Sequence, residues 1–332
     1  MKKLLILSAL AFCHVAAWAQ QSETATIMVH YKYSNVRDTN NRATPYTENM
    51  VLFVGKSAGA YRSWDRQLEN QLFKKQVQEA MANSPDGNVR INRQIKGSGT
   101  VYFQFPNDKK MVRREDLFGN YIIDEQLPAL DWKITGDTAS FGELHCQKAT
   151  THFKGRDYIA WFCPDLPVRV GPWKLNGLPG VIVDAHDTRG DVVFKFDGVE
   201  KVAPPPPAPA RPPGGPKADV VRDGRKSDVA PRGPKGDIAP DGPGHPKMMM
   251  IGMDDIDDDP SRIEVPVDGT KTTDAEFKHM QETLRKDPDA FARMLNATQG
   301  GDGPGGNGPK RNIKIKSGPQ EVNNNPIELS DN

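Results

Sequence analysis

Two strand-like segments joined by a two-residue turn place the tightest constraint on this chain. Residues 144–153 and 156–163 are rich in Thr, Ile, Tyr, Trp and Phe, which favour β-strands. The intervening Lys154-Gly155 has glycine where a primed turn requires a positive φ. One segment carries Cys146 and the other carries Cys163. The sequence therefore predicts a β-hairpin with one cysteine on each strand.

Counting back from the turn predicts which residues face each other. If Phe153 pairs with Arg156, the same register pairs Cys146 with Cys163. The cysteines then occupy a non-hydrogen-bonded site, where Cα atoms lie about 4.5 Å apart and a disulfide can form. A single β-bulge would shift the register and leave two separate thiols. Because the chain has no Cys-x-x-Cys motif, the predicted disulfide is a structural staple rather than a redox centre.

The N-terminus has the pattern of a secretory signal peptide. Two lysines precede an apolar run from Leu4 to Phe12, and Ala17-Trp18-Ala19 matches a cleavage site before Gln20. A lipoprotein attached through Cys13 is the alternative, although Phe12 stands where such a site prefers a small residue. We therefore expect export, with residues 1–19 removed, to the periplasm or the outer-membrane surface. An oxidising compartment of this kind favours the disulfide.

Charge and hydropathy argue against nucleic-acid binding and against a chain that spans a membrane. Loss of the two N-terminal lysines leaves 42 basic residues against 43 acidic ones, without a segregated basic patch, so the sequence predicts no nucleic-acid binding. No segment beyond the N-terminal run is apolar enough to cross a bilayer. We therefore do not expect an integral membrane protein.

The remaining pattern predicts a mainly β fold (β-rich α+β) with a few helices. Residues 27–33 alternate apolar and polar, and short strands recur at 50–54, 101–105, 120–124, 132–135, 181–184 and 192–196. Helical spacing covers 65–82, and Thr273 with Glu276 forms a capping box for a helix through Leu284. Strands and helices do not alternate, which favours a single curved antiparallel meander or half-barrel.

Residues 203–260 interrupt this pattern. Between 203 and 247 the chain has 13 prolines and 7 glycines, a composition typical of disorder. A returning strand at 262–267 and the helices that follow indicate a discontinuous domain made of 20–200 and 261–332. Within its second part, 299–311 is a flexible Gly-rich loop and 312–316 is a candidate edge strand.

Two motifs suggest a catalytic or metal-binding function, and neither is specific. Gly55-Lys56-Ser57-Ala58-Gly59 matches the G-x-S-x-G elbow of α/β hydrolases, but the chain offers no parallel sheet for it, so a Gly-rich loop leading into a helix is favoured. His245 with the methionines at 248–250 and 253 is a set of soft ligands for Cu(I), without a defined spacing. From the sequence we assign no catalytic residue, no metal ligand and no cofactor.

Several blocks of the sequence resemble the GLPGLI family. They are Cys146–Thr150, Gly155–Phe162, and the stretch Gly171-Pro172-Trp173-Lys174-Leu175-Asn176-Gly177-Leu178-Pro179-Gly180-Val181-Ile182. Residues 59–65, Asp124-Glu125 ahead of Trp132, and the closing Asn325-Pro326-Ile327-Glu328-Leu329 extend the resemblance to roughly 1–200 and 261–332. Val181 replaces the second leucine of the family signature, and Gly59 replaces a serine. The resemblance implies an exported protein of Gram-negative bacteria, from a family with no established activity.

The signature also has a physical interpretation. Pro179 suits position i+1 of a type II turn and Gly180 suits the positive φ at i+2. Trp132, Trp161 and Trp173 are candidates to line an apolar ligand cleft, although aromatic core packing is the default interpretation of these residues. We expect a non-catalytic envelope protein that binds an apolar ligand, a peptide or an unidentified envelope protein. Copper handling through the Met/His segment is the second hypothesis, and a hydrolase-type enzyme the third.

Overall fold

A computed structural model describes residues 22–83, 96–202, 259, 261–298 and 322–330. The predicted signal peptide, the insertion apart from Asp259, its Met/His segment, the Gly-rich loop and the strand predicted at 312–316 lie outside these residues. The strands are β1 (Glu23–Thr24), β2 (Ile27–Asn35), β3 (Tyr46–Val54), β4 (Gly59–Ser63), β5 (Val101–Phe105), β6 (Lys110–Asp116), β7 (Asn120–Gln126), β8 (Lys133–Phe141), β9 (Leu144–Phe153), β10 (Arg156–Cys163), β11 (Val181–Asp187), β12 (Val192–Lys201), β13 (Arg262–Ile263) and β14 (Thr270–Thr272). The helices are α1 (Trp64–Ala82), α2 (Asp274–Lys286) and α3 (Pro288–Thr298), with a short 3-10 turn at Pro106–Asp108.

One twelve-stranded sheet dominates the described part of the chain. Its order is β14-β7-β6-β5-β4-β3-β2-β12-β11-β10-β9-β8, and β1 pairs separately with β13. Strands β2 to β7 form one antiparallel meander and β8 to β12 form a second, and the two meet where β2 pairs with β12. The predicted mainly β class is confirmed. The sheet is mixed rather than wholly antiparallel, because β14 runs parallel to β7.

The sheet is strongly curved, as three ion pairs that connect its distant strands demonstrate. Lys174 Nζ lies 3.0 Å from Glu125 Oε2 on β7 and 2.8 Å from Glu328 Oε1. Glu328 in turn lies 3.5 Å from Lys154, in the turn between β9 and β10. Eight inter-strand steps separate β7 from β10, which would span roughly 38 Å in a flat sheet. The four side chains of this connection cannot reach across that distance, so the sheet bends into an open half-barrel with a concave face.

The predicted hairpin is confirmed together with its register. Phe153 pairs with Arg156, and the ladder continues to Gln147 opposite Phe162. Cys146 and Cys163 form a disulfide with their Cα atoms 4.1 Å apart. Lys154 and Gly155 have φ of 50° and 66°, as both central residues of a type I′ turn require.

The segment between β10 and β11, residues 164–180, fills the concave face, and we call it the plug. Its apolar side chains Val170, Trp173, Leu175 and Leu178 are buried in the larger core. Buried Gln104 on β5 holds the plug in place, because its amide nitrogen donates to the carbonyls of Gly171 and Trp173 at 3.0 and 2.8 Å. Most of the signature sequence is therefore interior structure, and only Gly177 and Pro179 of residues 171–182 are exposed.

The turn predicted at Gly180 is wrong in type. Gly180 N–H donates to Leu178 O at 2.8 Å, which closes a three-residue turn centred on Pro179. The positive φ belongs to Gly177, at 93°. Gly180 is needed for space instead, since a Cβ there would collide with the backbone carbonyl of Cys163.

The G-x-S-x-G segment is not a nucleophile elbow, and it does not lead into a helix. Residues 55–58 form the turn of the antiparallel β3–β4 hairpin, closed by Gly55 N–H donating to Ala58 O at 2.9 Å. Ser57 Oγ donates to Glu23 Oε2 at 2.9 Å. Helix α1 begins after β4, at Trp64.

The opposite face carries a second apolar core, and the C-terminal elements pack back onto the sheet. This core includes Phe53, Phe103 and Ile263 of β13. Helix α2 has the predicted capping box between Thr273 and Glu276, and Phe277 packs on Tyr121 of β7 at 5.6 Å. Within the described residues, no helix is long and apolar enough to cross a membrane.

Candidate functional site

The three predicted cleft tryptophans do not share one surface. Trp173 belongs to the plug and is 3% exposed, within the larger core. Trp132 is half-buried, and its Nε1–H donates to Asn176 O of the plug at 2.8 Å. Trp161 packs against Phe141 at 5.9 Å, and strand alternation directs it away from its buried neighbours Ala160 and Phe162. The structure thus brings Trp132 and Trp173 to the plug and leaves Trp161 elsewhere.

The concave face holds a continuous set of rings, which we call the aromatic cluster. Trp173 and Phe194 are nearly parallel, 14° apart in plane with centroids at 6.5 Å. Tyr33 stacks on Phe194 at 5.2 Å, Tyr61 meets Phe194 at 6.2 Å, and Tyr158 meets Trp173 at 6.3 Å. The rings around this centre are Tyr31, Tyr46, Tyr102 and Phe153.

Strand register explains how distant segments contribute to this cluster. On β2, Val29, Tyr31 and Tyr33 share one face because side chains alternate along a strand. Cross-strand pairing then places Tyr33 opposite Phe194 of β12, and Tyr61 of β4 opposite Tyr102 of β5. The plug contributes Trp173, whose backbone carbonyl accepts a hydrogen bond from Gln104.

Three polar atoms of the cluster are buried and have no hydrogen-bond partner among the described residues. They are the hydroxyls of Tyr61 and Tyr158 and Nε1 of Trp173. Tyr31 is different, because its hydroxyl donates to Ile182 O at 2.6 Å. A buried polar group without a partner costs about 1–3 kcal/mol. Proteins normally satisfy such groups with ordered water or with a ligand. The cluster therefore has the donors of a binding site.

The phenols of this cluster stay protonated at neutral pH. Burial raises the pKa of Tyr33 to about 12. Burial, reinforced by the charge of Glu115, also raises the pKa of Tyr102. Burial likewise raises the pKa values of Tyr61 and Tyr158. Each hydroxyl is thus available as a donor and is a poor base.

A charged network borders the cluster near Tyr102. Arg113 contacts Glu115 and Glu125 at 2.8 and 2.7 Å, and it also pairs with Asp274 of α2. Burial raises the pKa of Glu115 despite its contacts with Thr100 and Arg113. At Glu328, burial is the largest single influence and opposes ionisation, but the hydrogen bonds and charges of Lys174 and Lys154 together outweigh it and lower the pKa. In this network, Arg113 and Lys174 together contact four carboxylates.

Residues 322–330, which we call the strap, join this charged network through Glu328. The guanidinium of Arg156 is fully buried and donates to Asn325 Oδ1 and Pro326 O at 2.7 Å, and to Ile327 O at 3.1 Å. The same guanidinium pairs with Asp187 at 2.7 Å. The resemblance identified both segments, but sequence reasoning missed their contact because 169 residues separate Arg156 from Asn325.

A separate polar cleft of about 480 Å³ lies beside the strap, lined in part by Asp187, Arg189 and Ser330. Two of its charged lining residues, Arg156 and Asp187, are paired with each other. Across the described ranges, no group of three or more His, Cys, Asp and Glu side chains is arranged to hold a metal ion.

Comparison with known proteins gives little similarity. No family model matches the chain, and no curated protein matches it. Among solved structures, PNGF-II in space group P21 aligns with a TM-score of 0.39 and 13% identity, covering 55% of this chain and 29% of that one. The C2 crystal form of PNGF-II gives 0.37 and 12%, covering 54% and 28%. The chain thus spans less than a third of the PNGF-II chain, and similarity at this level supports no argument about activity.

Proposed function

We propose that this protein is an exported, non-catalytic binding protein of the bacterial envelope, with its ligand seated against the aromatic cluster. The observation that carries the proposal is the set of three buried polar atoms on Tyr61, Tyr158 and Trp173 that have no partner in the part of the chain that the structure describes. Their rings belong to one continuous cluster on the concave face. A ligand that accepts hydrogen bonds there would remove a penalty of about 1–3 kcal/mol for each group.

The charges around the cluster support binding over catalysis. The phenols have pKa values raised by burial, so they donate hydrogen bonds and do not serve as bases at neutral pH. Arg113 and Lys174 are each held by several carboxylates. Ser57, the residue that suggested a hydrolase, lies in a hairpin turn and donates to Glu23.

Membership of the GLPGLI family and export belong to the same proposal. Three blocks that carry the resemblance meet in one ion network, through Glu125, Lys174 and Glu328. A fourth block supplies Arg156, which binds the closing Asn325-Pro326. The Cys146–Cys163 disulfide is compatible with an oxidising compartment such as the periplasm.

Native mass spectrometry tests the binding proposal directly. The full chain is purified gently from the exported fraction, alongside a Tyr61→Phe/Tyr158→Phe double variant and a Tyr121→Phe control. Tyr121 lies on β7 against Phe277, outside the aromatic cluster. We expect a non-protein mass on the wild type and the control, lost or strongly reduced in the double variant. A wild-type protein that carries no added mass, or a double variant that retains it fully, would contradict the proposal.

A further inference from the structure

We infer that the ligand of the aromatic cluster is a neutral sugar, either free or at the end of a glycan. This inference rests on the proposed function and specifies the ligand class for the same site. Three properties of the cluster lead to it: the kind of hydrogen bond that it needs, the sign of the surrounding charge, and the shape of the ring surfaces.

The hydrogen-bonding need is for acceptors. Trp173 Nε1–H is buried, has no partner among the described residues, and can only donate. The hydroxyls of Tyr61 and Tyr158 also lack a partner within the described part of the chain, and they are protonated. A ligand that satisfies all three groups must present an acceptor to each of them. A hydrocarbon chain has no acceptor, and a cationic group offers none to Trp173 Nε1–H.

The surrounding charge disfavours an anion. Glu48 acts on Tyr33 and Tyr61, and Glu328 acts on Tyr102 and Tyr158. The cations that face these rings are already engaged. Arg156 is bound by Asp187 and the strap, Arg113 by three carboxylates, and Arg37 stacks over the Tyr46 ring at 3.5 Å. An anionic ligand would therefore meet carboxylates without a cation to balance it.

A sugar hydroxyl suits both the hydrogen-bond donors of the cluster and the carboxylates around it. It accepts a hydrogen bond from a tyrosine or tryptophan donor and donates one to a carboxylate such as Glu48. The carbon–hydrogen face of a pyranose is flat and apolar, and it suits the face of a half-buried ring at the edge of the cluster, such as Tyr33 or Tyr102. Neutral sugars combine these features, whereas a purely apolar ligand offers only the second.

The strap is the segment that controls access. The three polar atoms are covered by protein, so a sugar reaches them only when a covering segment moves. Ile327 of the strap packs on the core of the concave face. Glu328 acts on the rings of both Tyr102 and Tyr158, and it is held at the rim by Lys154 and Lys174. Tyr33 and Tyr102 are half-buried, which places the edge of the cluster at the surface.

A glycan array and calorimetric titration test the inference with the full mature chain. The array carries neutral and acidic glycans, and the titration uses free neutral monosaccharides and glucuronate as the anionic control. We expect saturable binding of at least one neutral sugar, with glucuronate at least about tenfold weaker. The array and the titration together distinguish a glycan terminus from a free sugar.

Variants separate the site from the rest of the surface. Tyr158→Phe and Tyr61→Phe should each weaken sugar binding by about tenfold or more, because each removes one donor, while Tyr121→Phe should bind like the wild type. Binding unaffected by both cluster variants would overturn the assignment. A non-sugar ligand found by native mass spectrometry, without binding of any neutral glycan, would overturn the sugar class but leave the binding function. Absence of any ligand, with ordered water on the three atoms in a crystal structure, would overturn both.

Discussion

Removal of a single hydroxyl from the aromatic cluster should make this protein more stable. Tyr158→Phe and Tyr61→Phe each delete a buried oxygen that has no partner among the described residues. Burying such a group costs about 1–3 kcal/mol. The small void left behind offsets part of this gain. We therefore expect each variant to raise the free energy of unfolding by about 1 kcal/mol.

Tyr31→Phe is the matched control, with the same chemical change on the same concave face. Its hydroxyl donates to Ile182 O at 2.6 Å, so the substitution leaves a buried carbonyl unpaired. We expect a loss of about 1–3 kcal/mol. For a domain of about 150–250 residues, 1 kcal/mol corresponds to a shift of about 2–4 °C in Tm. The control and the two test variants should therefore move in opposite directions.

Urea unfolding followed by far-UV circular dichroism measures these differences at pH 7. The proteins are unfolded and refolded first, with the disulfide intact, so that any bound small molecule is removed. Midpoints are compared only between variants with the same denaturant slope. If Tyr158→Phe and Tyr61→Phe are destabilised as much as Tyr31→Phe, their hydroxyls are satisfied in the folded protein. The physical basis of the proposed site would then be lost.

Three further predictions concern the strap and the hairpin. Arg156→Met should lower the free energy of unfolding by about 3–5 kcal/mol, because it leaves the buried carboxylate of Asp187 unpaired. Arg189→Met is the control: Arg189 is exposed and pairs with the neighbouring Asp191, so its loss should change the free energy of unfolding in urea by less than about 0.5 kcal/mol. Alanine at both Cys146 and Cys163 should cost about 3 kcal/mol, given the separation of 17 residues, and an unchanged urea midpoint would contradict a stapling role. The folded-state pKa of Glu328 is lowered, so its stabilising contribution is complete above the unfolded pKa of about 4.3 and is lost as pH falls through the lower folded value. The urea midpoints of wild type and Glu328→Gln should therefore converge below about pH 4.

The hairpin was predictable because all its information is local. A composition rich in β-branched and aromatic residues indicated the strands, Gly155 fixed the turn, and counting from the turn placed the cysteines opposite each other. The capping box of α2 was predictable for the same reason.

Elements stabilised by distant partners were not predictable from pattern. Strand β6 has the composition of a charged stretch, Lys-Met-Val-Arg-Arg-Glu-Asp. It is a strand because Arg113 finds partners on β7 and α2, and Glu115 is held by Arg113 and Thr100. Strand β4 is only five residues long, and all five are buried, so it shows no polar alternation. At Gly180 the pattern indicated a turn correctly, but a close approach to Cys163 sets the need for glycine.

The candidate site was hidden from the sequence for a related reason. Its central rings come from β2, β4, β10, β12 and the plug, and no local spacing connects them. The tryptophan prediction found Trp173 alone among these rings. Unsatisfied hydrogen-bonding groups become visible only when the packing around them is known.

The pairing of β2 with β12 has a consequence for how the chain acquires its shape. Strand β2 is made early, whereas β12 is the last strand of the second meander to be made. Until then, one edge of β2 exposes unpaired amides and carbonyls, which makes a partly synthesised chain prone to mispairing. Contacts this remote in sequence also slow folding. Since Tyr33 meets Phe194 across this same junction, the ability to hold a ligand should be among the last properties that the nascent protein gains.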